Sequence, residues 1–144
     1  MKTSMHIYLA GPLFTHAELA YLAALRDQLR QVIPSVTVTW PGDLFDSDHL
    51  ASLGPAAKQH IFEGCRDAIH AATHVVALLD GTQVDDGTAW EIGYAYARGL
   101  PIIGLRTDFR QAGDTPHSVA NAMIECSCGR IFGSAKELMA GLVG

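Results

Sequence analysis

Long apolar runs are missing from this 144-residue sequence, and so is any excess of basic side chains. No stretch approaches the ~20 apolar residues that a membrane-crossing helix requires, so no membrane partner is expected. The run Ile7-Tyr8-Leu9-Ala10 near the N-terminus is ended by Gly11-Pro12, too early for a secretion signal, and a cytoplasmic location is expected. Ten basic residues against fifteen acidic ones leave a net charge of −5. A chain that binds a nucleic-acid backbone normally presents a basic face, so nucleic acid is not an expected partner. Cysteine is scarce and odd in number: Cys65, Cys126 and Cys128 offer neither a disulfide framework nor a zinc-type pair of pairs. The seven histidines are scattered without an HExxH pattern. His70 and His74 are four apart, but they straddle an expected helix end and strand start and should not share a face. No metal is expected. GxGxxG, the P-loop and the GxSxG elbow are absent as well, which leaves no obvious cradle for a dinucleotide or a nucleoside triphosphate. No cofactor is expected.

What the chain does have is an alternation of short apolar runs with helical patterns. Met5 to Ala10 reads as a first strand ended by Gly11-Pro12-Leu13-Phe14. Thr15-His16-Ala17-Glu18 has the form of a capping box. It opens a helix with Leu22, Leu25, Leu29 and Val32 on one face that stops at Pro34. Val36 to Trp40 alternates and is β-branched, as a second strand should be. Residues 41–55 read as a long loop, in which Leu44 and Phe45 should pack on something. A helix over 56–72, interrupted or bent near Gly64, precedes an apolar strand at 74–79. An acidic loop, a helix at 88–98 and a strand at 101–105 follow. The C-terminal part reads as a polar loop over 106–117, a short helical piece at 118–124, a weak strand at 130–132 and a helix capped by Ser134.

Strands alternating with helices imply a parallel sheet covered on both faces. The expected fold is therefore α/β, a flavodoxin-like or Rossmann-like three-layer sandwich on a five-stranded parallel sheet. All 144 residues are expected to form one domain. In such a sheet the loops after strands one, three and four share one edge, where ligands bind. That edge gathers carboxylates: Asp43, Asp80, Asp85, Asp86 and Glu91, with Asp67 on the preceding helix. Grouped carboxylates with no basic counterweight suit sugar hydroxyl recognition and glycosidic chemistry, or alternatively a divalent cation.

Glu91 stands at the centre of this group and has two readings. Thr88-Ala89-Trp90-Glu91 fits a capping box, in which Glu91 would only reach back to the start of its helix. A carboxylate held near a helix N-terminus should also stay ionised, and a fixed anion can act as nucleophile or base. Trp90, Tyr94 and Ala97 are expected to form the buried face of that helix.

Three stretches resemble the nucleoside 2-deoxyribosyltransferase family: Tyr8 to Phe14, Asp85 to Tyr94, and Asn121-Ala122-Met123-Ile124-Glu125. They stand in the family's order and span nearly the whole chain. The resemblance implies a retaining transfer of 2-deoxyribose from a 2′-deoxynucleoside to a free nucleobase, through a covalent deoxyribosyl-Glu91 intermediate. It implies that Tyr8 holds Glu91, and that Asp85 contacts the sugar or helps proton transfer. It further implies that an acid on the helix before strand three assists the leaving base, for which Asp67 is the nearest candidate although one residue out of register. Gly11, Phe14, Asp43 and Asp86 would bind substrate. Asn121 and Met123 would reach the sugar's 5′ end from a neighbouring subunit, so a homo-oligomer is expected, dimer-based and possibly a hexamer. A nucleoside or nucleoside 5′-monophosphate hydrolase would use the same glutamate with water as acceptor. A non-catalytic nucleotide-binding domain on the same fold is the rival of another class.

Overall fold

The computed structural model describes residues 4–144. Five parallel strands form one sheet: β1 (His6–Ala10), β2 (Thr37–Thr39), β3 (His74–Leu78), β4 (Ile102–Leu105) and β5 (Arg130–Phe132). Their order is β2-β1-β3-β4-β5. The register pairs Ile7 with both Val38 and His74, Val75 with Ile102, and Ile103 with Arg130. This is the flavodoxin-like order, whose topological switch point lies between β1 and β3.

Side-chain parity builds the two cores. Successive strand residues point to opposite faces, so β1 sends Ile7 and Leu9 one way and Tyr8 and Ala10 the other. Ile7 and Leu9 join Val76 and Leu78 of β3. Against them pack Leu22, Leu25 and Leu29 of α1 (His16–Val32) and Leu138 of the C-terminal helix Ala135–Val143. Tyr8 and Ala10 join Val75, Ala77 and Leu79 on the opposite face. There they meet Ile69 of α3 (Ala57–Ala71) and Ile92 and Ala95 of α4 (Asp86–Ala97). Val32, expected inward, is partly exposed, and Ile33 at the end of α1 is buried instead.

Three expectations are corrected. Residues 41–55 are not a loop: a 3-10 turn at Pro41–Asp43 leads into the helix α2 (Ser47–Leu53) and a second turn at Gly54–Ala56. Asp46 caps α2 by accepting the His49 N–H at 2.8 Å, a local signal hidden in a stretch rich in Asp and Ser. α3 runs through Gly64 without interruption. The glycine is there for room, since a Cβ on it would lie 2.9 Å from the Phe45 ring. The short helix near the C-terminal end, α5, is Ala122–Glu125 rather than 118–124.

Candidate active site

Helix α4 supplies the central side chain. Its N-cap is Asp85, whose Oδ2 accepts the Thr88 N–H at 2.8 Å and the Thr88 hydroxyl at 2.9 Å. The helix therefore starts three residues earlier than the Thr88 box suggests. Glu91 is the sixth residue past the cap, beyond reach of the free N–H groups of the first turn. It caps nothing. Its carboxylate instead accepts a hydrogen bond from the hydroxyl of Tyr8, 83 residues away in sequence. Tyr8 is completely buried in β1. Parity places it on the face covered by α4, and the pairing follows from that.

Glu91 lies in the wall of a cavity of about 260 Å³ at the carboxyl edge of β1 and β3. The ionisable side chains at its surface are Asp85, Cys65 and Glu91. Phe14, Ile61, Phe62 and Trp90 make most of the rest, with Leu13 and Pro41. Phe14 is 80 % exposed and Trp90 46 % exposed. Trp90 stacks on Tyr94 at 5.1 Å and meets Phe62 edge-on at 5.4 Å. The expectation that Trp90, Tyr94 and Ala97 are the buried face of α4 is overturned. Thr88, Ile92 and Ala95 are buried, which leaves Trp90 free to wall the cavity. Gly11 lines the cavity through its backbone, where a Cβ would come within 2.8 Å of the Leu22 side chain.

This setting controls protonation. Burial pushes the Glu91 carboxyl up to about 7; the Tyr8 hydrogen bond pulls it back and nearby Asp85 adds to the rise. The cost of burying an anion outweighs the hydroxyl that stabilises it. Tyr8 is held well above its ordinary range, first by burial and then by Glu91, so it stays a proton donor. Burial also raises the Cys65 thiol; the Tyr8 contact opposes the rise and the charge of Glu91 reinforces it. A fixed, partly desolvated carboxylate with a tyrosyl donor, facing an apolar slot of ring size, can attack an electrophilic carbon.

Not every expected residue comes to this cavity. Asp67 is on the outer side of α3, its side chain 65 % exposed and paired with Arg66 at 3.0 Å. Two residues along a helix rotate a side chain by about 200°, and Cys65 is the one that faces Glu91. Asp43 is paired with Arg26 at 2.5 Å and lies 3.8 Å from Arg30, so it has a basic counterweight and does not line the cavity. Asp86 and Asn121 line a separate cavity of about 640 Å³. Asn121 caps α5 by accepting the Met123 N–H at 3.0 Å, and Met123 is 79 % exposed.

Asp80 is a tie between loops. It accepts N–H bonds from Thr107 at 2.7 Å and Asp108 at 3.1 Å. Beside it the buried Arg106 donates to the carbonyls of Leu79, Gly81 and Arg110. Cys65, Phe62 and Trp90 escaped sequence reasoning. The apolar stripe Ile61, Phe62, Cys65, Ile69 along α3 was the signal that could have found two of them.

Fold and cavity together define an α/β protein with a carboxylate–tyrosine pair at its ligand-binding edge. Residues 7–123 match the profile of the nucleoside 2-deoxyribosyltransferase family, and the chain belongs to that family. An uncharacterised protein of Ureaplasma parvum serovar 3 is 32 % identical over 120 residues, covering 76 % of this chain and 75 % of that one. A conserved protein from Enterococcus faecalis V583 is 31 % identical with a TM-score of 0.75 over 96 % of each chain. The 2-deoxyribosyltransferase of Bacillus psychrosaccharolyticus is 24 % identical and shares the fold, with a TM-score of 0.74 over 93 % of this chain and 90 % of that one.

Proposed function

We propose that this protein transfers 2-deoxyribose between nucleobases by double displacement, with Glu91 as nucleophile. The observation that carries this reading is the Tyr8–Glu91 pair: a cavity-facing carboxylate that caps no helix and is held by a buried hydroxyl. The donor base would lie among Phe14, Phe62 and Trp90, which turns the sugar's C1′ toward Glu91. Attack gives a deoxyribosyl ester as the base departs. A second base then attacks from the vacated side, and two inversions preserve the configuration. Asp85 has Oδ1 free of protein partners among the described residues and can accept from a sugar hydroxyl. Apolar walls favour a ring over water as acceptor. The cavity's charged side chains are both carboxylates, which disfavours a phosphate dianion and favours nucleosides over 5′-monophosphates.

Asn121 and Met123 lie outside the Glu91 cavity of their own chain, as residues serving a neighbour's site would. We propose a homo-oligomer on that ground and on the family resemblance. The test is chromatography after incubation with 2′-deoxynucleosides, with and without a free base. A new deoxynucleoside that appears only with the base supports transfer. Free base and sugar in both samples point to hydrolysis, and no change in either points to a binding domain. Glu91→Gln should leave a folded chain without detectable turnover.

A further inference from the structure

Breaking an N-glycosidic bond requires more than a nucleophile, because the departing base must receive a proton or leave as an anion. The side chains with ionisable groups at the cavity surface are Glu91, Asp85 and Cys65. Glu91 is committed to the sugar in the proposed reaction, and Asp85 Oδ2 is occupied by the N–H and hydroxyl of Thr88. Cys65 comes from the α3 wall, beside Phe62 and Trp90 where the base would stack. Cys65 shares the cavity wall with Glu91, and Tyr8, which holds Glu91, is near enough to influence the thiol.

We propose that Cys65 is the proton donor to the leaving base and the proton acceptor from the incoming one. The inference rests on the N-glycosidic reading of the site. In the first step the Glu91–C1′ bond forms and the C1′–N bond breaks, its electron pair passing to the base nitrogen. The thiol proton goes to that nitrogen, and a thiolate remains. In the second step the thiolate takes the N–H proton of the incoming base as its nitrogen attacks C1′ and Glu91 is released. Nothing is oxidised or reduced.

Tyr8 couples the two halves. While Glu91 is a carboxylate, its charge disfavours a thiolate next to it and holds the Tyr8 hydrogen bond. Once Glu91 is an ester that charge is gone, and the Tyr8 hydroxyl is free to turn to sulfur. Thiolate formation thus becomes easier at the moment it is needed, since one opposing charge has disappeared and one donor has become available.

The test compares 2′-deoxyguanosine with 7-methyl-2′-deoxyguanosine, whose base is already cationic and leaves without a proton. Cys65→Ser keeps the size and the fold, which circular dichroism would verify, but replaces the thiol by a far weaker acid. In a single turnover without acceptor it should slow release of the base from 2′-deoxyguanosine about 100-fold, within the usual range for a lost general acid. Release of the methylated base in the same measurement, which calls on neither proton role of Cys65, should change by less than a few-fold. Cys65→Ala should behave in the same way. Equal losses on both donors would assign Cys65 a purely structural role and overturn the proposal, as would full activity of either variant on 2′-deoxyguanosine. Wild-type protein that cleaves neither these donors nor any other 2′-deoxynucleoside would overturn the N-glycosidic reading itself.

Discussion

A carboxyl group drawn into an apolar wall titrates where an exposed one would not. With Glu91 pushed up to about 7, the proposed nucleophile is mostly ionised only above that pH. The acid limb of kcat/KM for the free enzyme should therefore have its midpoint near 7, against the ordinary glutamate value of 4.5. A pH–rate profile checks this; a limb at 4–5 would mean that water reaches Glu91 freely. Tyr8 acts in the opposite direction to burial, so Tyr8→Phe should move the limb further up while it lowers kcat. At this scale the sequence was half legible. Tyr8, Glu91 and Asp85 stand in recognisable motifs, whereas Cys65 has no motif and Asp67 next door is a better acid on paper. Only the rotation of α3 decides which of the two meets Glu91.

At the scale of elements, α4 depends on its first turn. Asp85 is both the N-cap and a wall of the cavity, and two substitutions separate these roles. Asp85→Ala should cost about 1 kcal/mol of stability through the lost cap. Asp85→Asn keeps a capping oxygen and should cost no more than a few tenths, yet it removes the charge that would face the sugar in the proposed reaction. Thermal denaturation alongside steady-state kinetics would resolve the two effects. If Asn matches wild type in both, Asp85 is only a cap. The Thr88 box misplaced this helix start because Thr and Asp are comparable N-caps, and three candidate acceptors stand within four residues. Tertiary packing, which buries Thr88, Ile92 and Ala95, selects among them.

For the whole molecule, the site is a stability cost that varies with pH. Below about 4.5 Glu91 is protonated in both the folded and the unfolded state. Between 4.5 and about 7 the folded state binds more proton than the unfolded one, so this group's contribution falls as pH rises and levels off above 7. Glu91→Gln should therefore leave stability nearly unchanged at pH 4.5 and raise it at pH 8, by up to about 3 kcal/mol. Urea denaturation at the two values checks the sign. The proposed sharing of sites between subunits has its own test at this scale. Coexpressed Glu91→Gln and Asn121→Ala chains should regain part of the transfer activity that each lacks alone. Mixed oligomers without regain would place Asn121 outside the partner's site.

The sequence by itself determined the parallel α/β alternation, the capping of α1 and the C-terminal helix, and the motifs that carry Tyr8, Asp85 and Glu91. Each of these is local: a period of two or 3.6, or a cap three residues from its partner. The tertiary structure decided that Glu91 is paired with Tyr8 rather than serving as a cap, that Asp43 is tied to Arg26, and that Cys65 faces the cavity while Asp67 faces solvent. Those outcomes depend on how helices rotate against a sheet to bury their apolar stripes. That is settled by packing among residues far apart in the chain.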